Sequence, residues 1–307
     1  MSQRDWIQKQ LGTSAFEQLA TGLAGSHLQS VLLEVMQRRA KARPAADVLA
    51  QYRRDQHCRP AAVDQRTIVA IDAHLLAAAE GFEAIELSPV VPLGACSAVA
   101  LTDQNRVLSA LRSTEVVSDP TNALALECAL RLRVNPKTPV HLATTHRVLR
   151  AQPVPRSPGY APHFRMFVLA SGGIEAKDHA FTVDTLVRHV RTTLAALDRL
   201  EQHGHAFDER RVDVLATTAR ASLGDRIAEA LGDIATRNVL EHPYYSGGLR
   251  YMLWVTAPGG ARIPLVDGGA FDWLAKLASN RRAVYIATGA GSQLIATRFR
   301  REIAPKP

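Results

Sequence analysis

The sequence has few of the features that stabilise small extracellular folds or anchor proteins in membranes. Only 3 of its 307 residues are cysteines, and Cys58, Cys96 and Cys128 lie far apart. That spacing favours neither a disulfide framework nor a thiolate metal site. No uncharged apolar run is long enough to cross a bilayer, and the first residues carry charges where a secretory signal needs an apolar segment. We therefore expect a cytoplasmic protein that has no membrane partner.

Motifs of several common enzyme classes are also missing. The chain has no Gly-x-Ser-x-Gly, no His-Glu-x-x-His, no Cys-x-x-Cys, and neither a Gly-x-Gly-x-x-Gly fingerprint nor a P-loop lysine. The histidines, including His146 and His163 beside a basic segment, are predicted to be structural or surface groups rather than metal ligands. Hydrolase chemistry and a protein-bound metal therefore have no support in the sequence.

The composition is that of a globular protein able to bury a sizeable core. Hydrophobic residues make up 47% of the chain and charged residues 21%. The 37 Lys and Arg residues outnumber the 29 Asp and Glu residues, which gives a net charge of +8. Such an excess favours anionic partners, among them an anionic small molecule, without choosing one.

Acidic residues are absent from one long segment, between Glu127 and Glu175. The basic residues within it are Arg131, Arg133, Lys137, Arg147, Arg150, Arg156 and Arg165. The segment is predicted to form two strands, 139–152 and 163–171, joined by a loop rich in proline and glycine. Alternate residues of a strand share a face, so we expect guanidinium groups of both arms to converge on one anion in a cleft floored by an antiparallel sheet. The alternative is a solvated or acid-paired strand face.

Helices dominate the first part of the chain. Apolar spacing predicts helices at 26–43 with Ser26 as N-cap, at 45–55 and at 64–80. From Gly81 the pattern changes to strands in FEAIELSPVVP and SAVAL, followed by helices at 103–112 and 119–133. The second of these begins with Asp119 as N-cap and Pro120 at the first helical position.

The second half alternates strands with long helices. The longest helical segment is 178–204, another helix is predicted at 221–237, and strands are predicted in VDVLAT, GGLRYMLWVT, RIPLVDGG and AVYIAT. Hairpin strands separated by helices indicate an α+β fold with a mostly antiparallel sheet flanked by helices. We predict a helical N-terminal region at 1–74 and a core at 75–307.

Taken in order, these segments resemble the catalytic core of class II aminoacyl-tRNA synthetases, in particular the branch of histidyl-tRNA synthetase and the regulatory subunit of ATP phosphoribosyltransferase. The resemblance covers about residues 75–302. FEAIELSPVVP is similar to the first motif, in which Pro89 would end a strand at a homodimer interface. THRVLRAQPVPRSPGYAPHFRMF is similar to the second motif and ATGAGSQLIATRF to the third.

The resemblance implies a set of ligand-binding residues. Asp119 and Thr121 would hold a substrate amino acid, and Arg147 would grip the ATP α-phosphate and the substrate carboxylate. HPYYSGGLRYM and VDGGAFDWL are similar to a tyrosine pair and a glycine-rich turn of the family. The full candidate set is Asp119, Thr121, Arg147, Arg150, Arg165, Tyr244, Tyr245, Gly268, Gly269, Asp272, Gly289 and Gly291. ATP and Mg²⁺ are the cofactors that the resemblance implies.

Several positions depart from the family pattern. Leu149 stands in place of an acidic nucleotide contact, while Leu169 and Gly173 replace a glutamine and an acidic residue that would face a substrate ammonium. Arginines are expected near Leu240 and at Ser292 or Leu294. No anticodon-binding domain follows the third motif in this sequence. Losing several groups that stabilise the charge of a transition state argues against ordinary synthetase activity.

Three functions are weighed on this basis. The first is a non-catalytic homodimer that regulates a partner enzyme or binds a ligand, similar to the ATP phosphoribosyltransferase regulatory subunit. The second is an ATP-dependent ligase that adenylates a different carboxylic or amino acid, with Arg147 as phosphate clamp and Arg150 or Arg298 compensating for lost groups. The third is RNA binding by the basic hairpin, which has no aromatic stacking stripe, so tRNA is not an expected partner.

Overall fold

The computed structural model describes residues 2–155 and 160–301, without the side chain of Arg4. Arg156 of the basic segment lies outside the described residues. The helices are α1 (Gln3–Leu11), α2 (Thr13–Glu17), α3 (Gly25–Lys41), α4 (Ala45–Arg54), α5 (Gln65–Ala78), α6 (Pro120–Val134), α7 (Ala180–Glu201), α8 (Ala221–Leu231), α9 (Trp273–Leu277) and α10 (Ser292–Arg298). The strands are β1 (Glu83–Ala84), β2 (Val90–Pro92), β3 (Ser109–Ala110), β4 (Thr114–Val116), β5 (Val140–Leu149), β6 (His163–Ile174), β7 (Asp208–Ala216), β8 (Ala235–Val239), β9 (Leu249–Thr256), β10 (Arg262–Phe271) and β11 (Ala283–Ala290).

One large sheet organises the chain. Its 8 strands follow the order β1-β5-β6-β11-β10-β9-β7-β8, and a second sheet of 3 strands has the order β2-β4-β3. Only the outermost pairs of the large sheet, β1 with β5 and β7 with β8, are parallel. All its inner pairs are antiparallel, so the predicted α+β class with a mostly antiparallel sheet is confirmed.

The two faces of the large sheet bury different helices. Ala143, Phe167 and Leu169 point to the face covered by α5, α7, α8 and α10, which we call the α7 face. Leu142, Val168 and Ala170 point to the other face, covered by α6 and α9, which we call the α6 face. Because neighbouring residues of a strand alternate between faces, the register of β5 and β6 decides which side chains can share a site.

Several local predictions are wrong around one buried carboxylate. The SAVAL segment is a π-helical turn, Ala95–Val99, and the helix predicted at 103–112 is a 3₁₀ turn, Gln104–Arg106, followed by β3. Glu115, fully buried, accepts hydrogen bonds from the backbone N–H groups of Gly94 and Cys96, both at 2.9 Å, and from Gln104 Nε2 at 2.9 Å. These bonds draw both segments into loops around the carboxylate, in place of regular structure.

Three helix or strand ends also differ from the predictions. Helix α3 begins at Gly25 with Ala24 as its N-cap, so Ser26 does not cap it. Helix α8 ends at Leu231 because Gly232 adopts a φ of 70°, and the chain then enters β8, a strand that the helical pattern concealed. Pro89 precedes β2 and does not end a strand.

The predicted helical N-terminal layer is present, but α5 belongs to the core. The predicted boundary between residues 74 and 75 falls inside α5, whose Ile68, Ile71 and Leu75 are buried in the core of the α7 face. In contrast, no described side chain of α1 to α4 is buried. The helices that precede α5 in the chain therefore contribute little to the core.

A chain of hydrogen bonds runs through the buried α7 face. Ser171 Oγ lies 2.8 Å from both His141 Nδ1 and His189 Nε2, and His189 Nδ1 lies 2.9 Å from Thr288 Oγ1. The hydroxyl of Tyr251 donates to the same Thr288 oxygen at 2.8 Å. Burial lowers the pKa of His189 to about 3, so this imidazole is neutral in the folded protein.

We predict that His189 contributes to loss of stability in mild acid. The unfolded chain binds a proton at this residue below a pH of about 6.5, whereas the folded protein does not until the pH approaches 3. Stability should therefore fall as the pH drops below about 6.5, and His189→Gln should remove roughly 1 kcal/mol per pH unit from that slope. Urea denaturation at pH 7, 6 and 5 measures this slope of stability against pH. Equal slopes for His189→Gln and the wild type would refute the role of His189.

Candidate functional site

A cavity of about 660 Å³ opens on the α6 face of the large sheet. Its floor comes from four adjacent strands: Met166 of β6, Gly289 of β11, Asp267 of β10 and Arg250 of β9. The walls contain Leu101, Thr102, Asp103, Arg106, Ser118, Asp119, Thr121, Arg150, Gln152, His242, Tyr244 and Tyr245. The cavity thus brings together residues of the candidate set, such as Asp119 and Tyr244, and residues outside that set, such as Arg250 and Asp267.

Two glycines shape this floor. A Cβ at Gly289 would lie 2.9 Å from the Met166 methyl group, so a side chain there would displace Met166. A Cβ at Gly269 would overlap the Leu249 carbonyl oxygen and the ring of Tyr245. The absence of a side chain at Gly269 therefore lets the Tyr245 ring lie directly against β10.

Asp119 and Thr121 form one corner of the cavity at the start of α6. As predicted, Asp119 is the N-cap, and its Oδ1 accepts hydrogen bonds from the Thr121 N–H at 3.0 Å and from Thr121 Oγ1 at 2.8 Å. Arg150 lies beside it, with Nη2 at 3.6 Å from Asp119 Oδ2 and Nε donating to the Ser118 carbonyl at 3.0 Å. The guanidinium also stacks over the Phe164 ring at 5.2 Å.

Arg147 and Arg165, one from each arm of the hairpin, lie together but do not reach this corner, where the candidate set grouped them with Asp119 and Thr121. The two arginines are direct partners across β5 and β6, which places both on the α7 face. Arg165 pairs there with the Asp72 carboxylate of α5, and Arg147 Nη1 lies 3.0 Å from His163 Nδ1 and 3.4 Å from Gln293 Oε1. The basic hairpin folds as predicted, but strand alternation divides its arginines between the two faces. Among the hairpin arginines that the structure describes, Arg150, just beyond β5, is the one that enters the cavity.

The floor carries an ion pair that the sequence did not reveal. Arg250 binds Asp267 through two hydrogen bonds, Nε to Oδ1 at 3.0 Å and Nη2 to Oδ2 at 2.7 Å. The Tyr245 hydroxyl donates to the same Oδ1 at 2.5 Å, and its ring lies 4.9 Å from the Arg250 guanidinium carbon. Asp267 remains 42% exposed to the cavity and Arg250 19%. Arg250 and Asp267 lie on adjacent strands, and their sequence positions alone do not indicate that pairing.

The tyrosine pair forms an aromatic wall. Tyr244 packs edge-on against Tyr245, Phe271 and Trp273, with ring centroids 5.4, 5.5 and 5.9 Å apart. Burial is the largest cause that raises the pKa of both tyrosines, and nearby carboxylates raise it further. The hydroxyl groups therefore remain protonated and can donate hydrogen bonds.

The charges that line the cavity are balanced. The carboxylates are those of Asp103, Asp119 and Asp267, and the guanidinium groups are those of Arg106, Arg150 and Arg250. Arg106, which the site prediction omitted, is exposed at the mouth and forms no ion pair with a described carboxylate. The net charge of the chain is thus not concentrated in the cavity, which offers equal numbers of charged groups of both signs.

Three other predicted residues lie outside the cavity lining. Asp272 pairs with Lys276 and accepts a hydrogen bond from Ser246, so it fixes the turn that begins α9. Gly269 is covered by Tyr245, and Gly291 precedes α10 beyond the lining. Gly268 and Gly289 do line the cavity.

The lining does not fit a magnesium-bound triphosphate. Three carboxylates accompany its three guanidinium groups, and two of those groups are already paired with Asp119 and Asp267. The surplus of cations that phosphate oxygens require is therefore lacking at this site.

Comparisons with solved structures identify the fold. The chain is similar to an ATP phosphoribosyltransferase regulatory subunit/histidyl-tRNA synthetase from Bacillus halodurans, with a TM-score of 0.59 and 14% identity over 78% of this chain and 82% of that one. It is similar to a histidine–tRNA ligase subunit from Alicyclobacillus acidocaldarius, with a TM-score of 0.57 and 14% identity over 78% and 96% of the two chains.

A histidyl-tRNA synthetase shows the same fold, and this chain covers a smaller share of its length. The apo histidyl-tRNA synthetase of S. aureus matches with a TM-score of 0.53 and 14% identity over 75% of this chain, which spans 64% of that enzyme. No protein-family model and no curated protein matches the sequence. The chain therefore has the fold of a class II synthetase catalytic core, as the motifs predicted. None of the helices in the described part of the chain has the length and apolarity to cross a membrane.

Proposed function

We propose that this protein binds a zwitterionic ligand of the amino-acid type in the α6-face cavity and does not adenylate it. The observation that carries the proposal is the corner at α6, where the Asp119 carboxylate and the Arg150 guanidinium lie 3.6 Å apart at the edge of a cavity with balanced charge. An ammonium and a carboxylate on one carbon atom match such a pair.

The free hydrogen-bonding positions of the corner support this placement. Asp119 uses Oδ1 to cap α6, so Oδ2 remains to accept a bond from the ligand ammonium. Arg150 uses Nε and Nη2 for its contacts with the protein, which leaves Nη1 to donate to the ligand carboxylate. Arg106, at the mouth of the cavity, offers a second guanidinium group to the ligand carboxylate.

The proposed absence of adenylation rests on the residues that enter the cavity. Arg150 lines the cavity and Arg147 does not, and two residues after Arg150 the neutral Gln152 also lines it. Leu169 points to the α7 face, so the return strand presents to the cavity the uncharged Met166, which cannot stabilise charge on a phosphate. Arg298 of α10 does not line the cavity.

We further propose that the bound ligand regulates a partner enzyme and that the protein forms a homodimer. One structure of similar fold is described as an ATP phosphoribosyltransferase regulatory subunit/histidyl-tRNA synthetase, which names both a regulatory subunit and a ligase, so the balanced charge of the cavity carries the choice. The alternative, an ATP-dependent ligase for a non-standard acid, is favoured by one observation, the unpaired Arg106 guanidinium at the mouth.

The decisive experiment measures binding and chemistry separately. Calorimetric titration with each of the twenty L-amino acids, with and without ATP and Mg²⁺, should detect one or a few that bind, with affinity independent of ATP. Pyrophosphate exchange with the same amino acids should remain at the level of a reaction without protein. Robust exchange with any of them would replace the proposal with the ligase alternative, and failure of all of them to bind would refute it.

A further inference from the structure

The cavity floor contains a second recognition element, separate from the α6 corner. Asp267 accepts two hydrogen bonds at Oδ1, from Arg250 Nε and from the Tyr245 hydroxyl, and one at Oδ2, from Arg250 Nη2. A carboxylate oxygen has two lone pairs, so Oδ1 is saturated and Oδ2 can accept one more bond. Because Asp267 is 42% exposed and lines the cavity, that remaining position is open to a ligand.

Three contacts hold this acceptor in a fixed orientation. The two parallel hydrogen bonds from Arg250 fix the plane of the carboxylate, and the Arg250 guanidinium is held in turn by the Tyr245 ring at 4.9 Å. The Tyr245 ring is fixed because Gly269 leaves room for it against β10. A preorganised acceptor costs little to order when a ligand binds, so it discriminates strongly between ligands.

The charge at the floor indicates which kind of group the acceptor takes. Arg250 already balances the negative charge of Asp267, so a cationic group there would also face the Arg250 guanidinium. An anionic group would have to approach a carboxylate whose free lone pair repels it. A neutral group with an N–H donor satisfies Oδ2 without adding charge to a partly desolvated site.

We propose that Asp267, positioned by Arg250 and Tyr245, selects ligands whose side chain ends in a neutral N–H donor such as a carboxamide. This inference rests on the proposed function, since the α6 corner would hold the amino-acid end of the same ligand. Asp267 would act as a specificity-determining residue. An acidic side chain would repel the Asp267 carboxylate, and a purely apolar side chain would leave its Oδ2 without a hydrogen bond. A site built around a polar group rejects such analogues.

The test compares ligands that differ by one group. Calorimetric affinities of the wild type are measured for all twenty L-amino acids, with glutamine against glutamate and asparagine against aspartate as near-isosteric pairs. We expect an amino acid with a neutral N–H donor to bind best, and at least one amide to bind at least about tenfold more tightly than its acid. This comparison does not depend on whether any variant folds.

A substitution then assigns the preference to Asp267. In Asp267→Asn the amide oxygen can still accept from Arg250 Nε and the Tyr245 hydroxyl, while an NH2 group that cannot accept replaces Oδ2, so we expect the preference for the amide over its acid to fall below about threefold. Asp272→Asn is the matched control, because this acidic residue lies five positions away, outside the cavity lining, and should leave the preference unchanged.

The possible results separate the two proposals. Binding of no amino acid would overturn the proposed function and this inference with it. Tightest binding by an acidic, cationic or apolar amino acid, or equal binding of each amide and its acid, would overturn this inference and leave the proposed function standing. A preference that survives in Asp267→Asn would overturn the role of Asp267.

Discussion

Replacing Arg165 with methionine is expected to lower the free energy of unfolding by about 3–5 kcal/mol. Arg165 is the ion-pair partner of Asp72, whose side chain is only 7% exposed at the junction of α5 with the β5–β6 hairpin. Burial raises the pKa of Asp72, and Arg165 opposes that rise through its charge and its hydrogen bond. Without the guanidinium, an unpaired carboxylate would remain in a desolvated position.

The pH dependence of this loss has a definite sign. In Arg165→Met the pKa of Asp72 should rise further, because the charge and the hydrogen bond of Arg165, which oppose the effect of burial, are lost. A carboxyl whose pKa is higher in the folded than in the unfolded chain stabilises the fold where it is protonated, so the deficit should shrink as the pH falls from 7 to 5. Urea unfolding of the wild type and of Arg165→Met at pH 7 and pH 5 measures the stability difference. A difference that did not change with pH would contradict the assignment of the loss to the Asp72 carboxylate.

A double variant tests whether the missing partner is the cause. Asp72→Asn combined with Arg165→Met removes both charges, and we expect it to be more stable than Arg165→Met alone at pH 7. If the double variant were less stable than the single one, the loss would reflect packing of the arginine stem and not an unpaired charge.

The second large effect concerns the ligand. Arg150→Met is expected to weaken binding of the amino acid found by calorimetry by about 100-fold, the range expected for loss of a hydrogen bond from a charged donor. Met keeps the length of the stem while it removes the donors to Ser118 and to the ligand carboxylate. Affinity is measured by the same titration, and the melting temperature confirms that the variant folds.

Arg147→Met is the matched control for this prediction. Both arginines belong to the same basic hairpin, three residues apart, but Arg147 lies on the α7 face with Gln293 and His163. We expect the ligand affinity of Arg147→Met to remain within about twofold of the wild type. If Arg147→Met lost binding and Arg150→Met kept it, the ligand would lie on the α7 face and the proposed site would be wrong.

The sequence predicted the fold well because its main signals are local and agree with one another. The helix at Asp119 begins where its N-cap and Pro120 indicated, and the two strands of the basic hairpin pair as their alternation indicated. Two of the failures lie where a distant group determines the conformation. Glu115 draws two segments into loops by binding their N–H groups, and no periodicity within those segments indicates this.

Much of the candidate site could be located but not fully assembled from the sequence. Asp119, Thr121, Arg150 and the tyrosine pair do meet in the cavity. The choice between Arg147 and Arg150 depends on the face to which each arginine points, and a shift of one position along a strand reverses that face. Arg250 and Asp267 pair between adjacent strands, so the ion pair requires the register of β9 with β10.

The strand order has a consequence for how the protein matures. β6 takes its inner neighbour, β11, from more than a hundred residues further along the chain. During synthesis the hairpin of β5 and β6 must wait, with one edge of its backbone unpaired, until the ribosome has delivered β11. The cavity floor joins β6 to β11, β10 and β9, so the floor is complete once β11 has joined the sheet. A chain that lacks β11 would therefore expose the backbone edge of β6, and such an unpaired edge favours pairing with other chains.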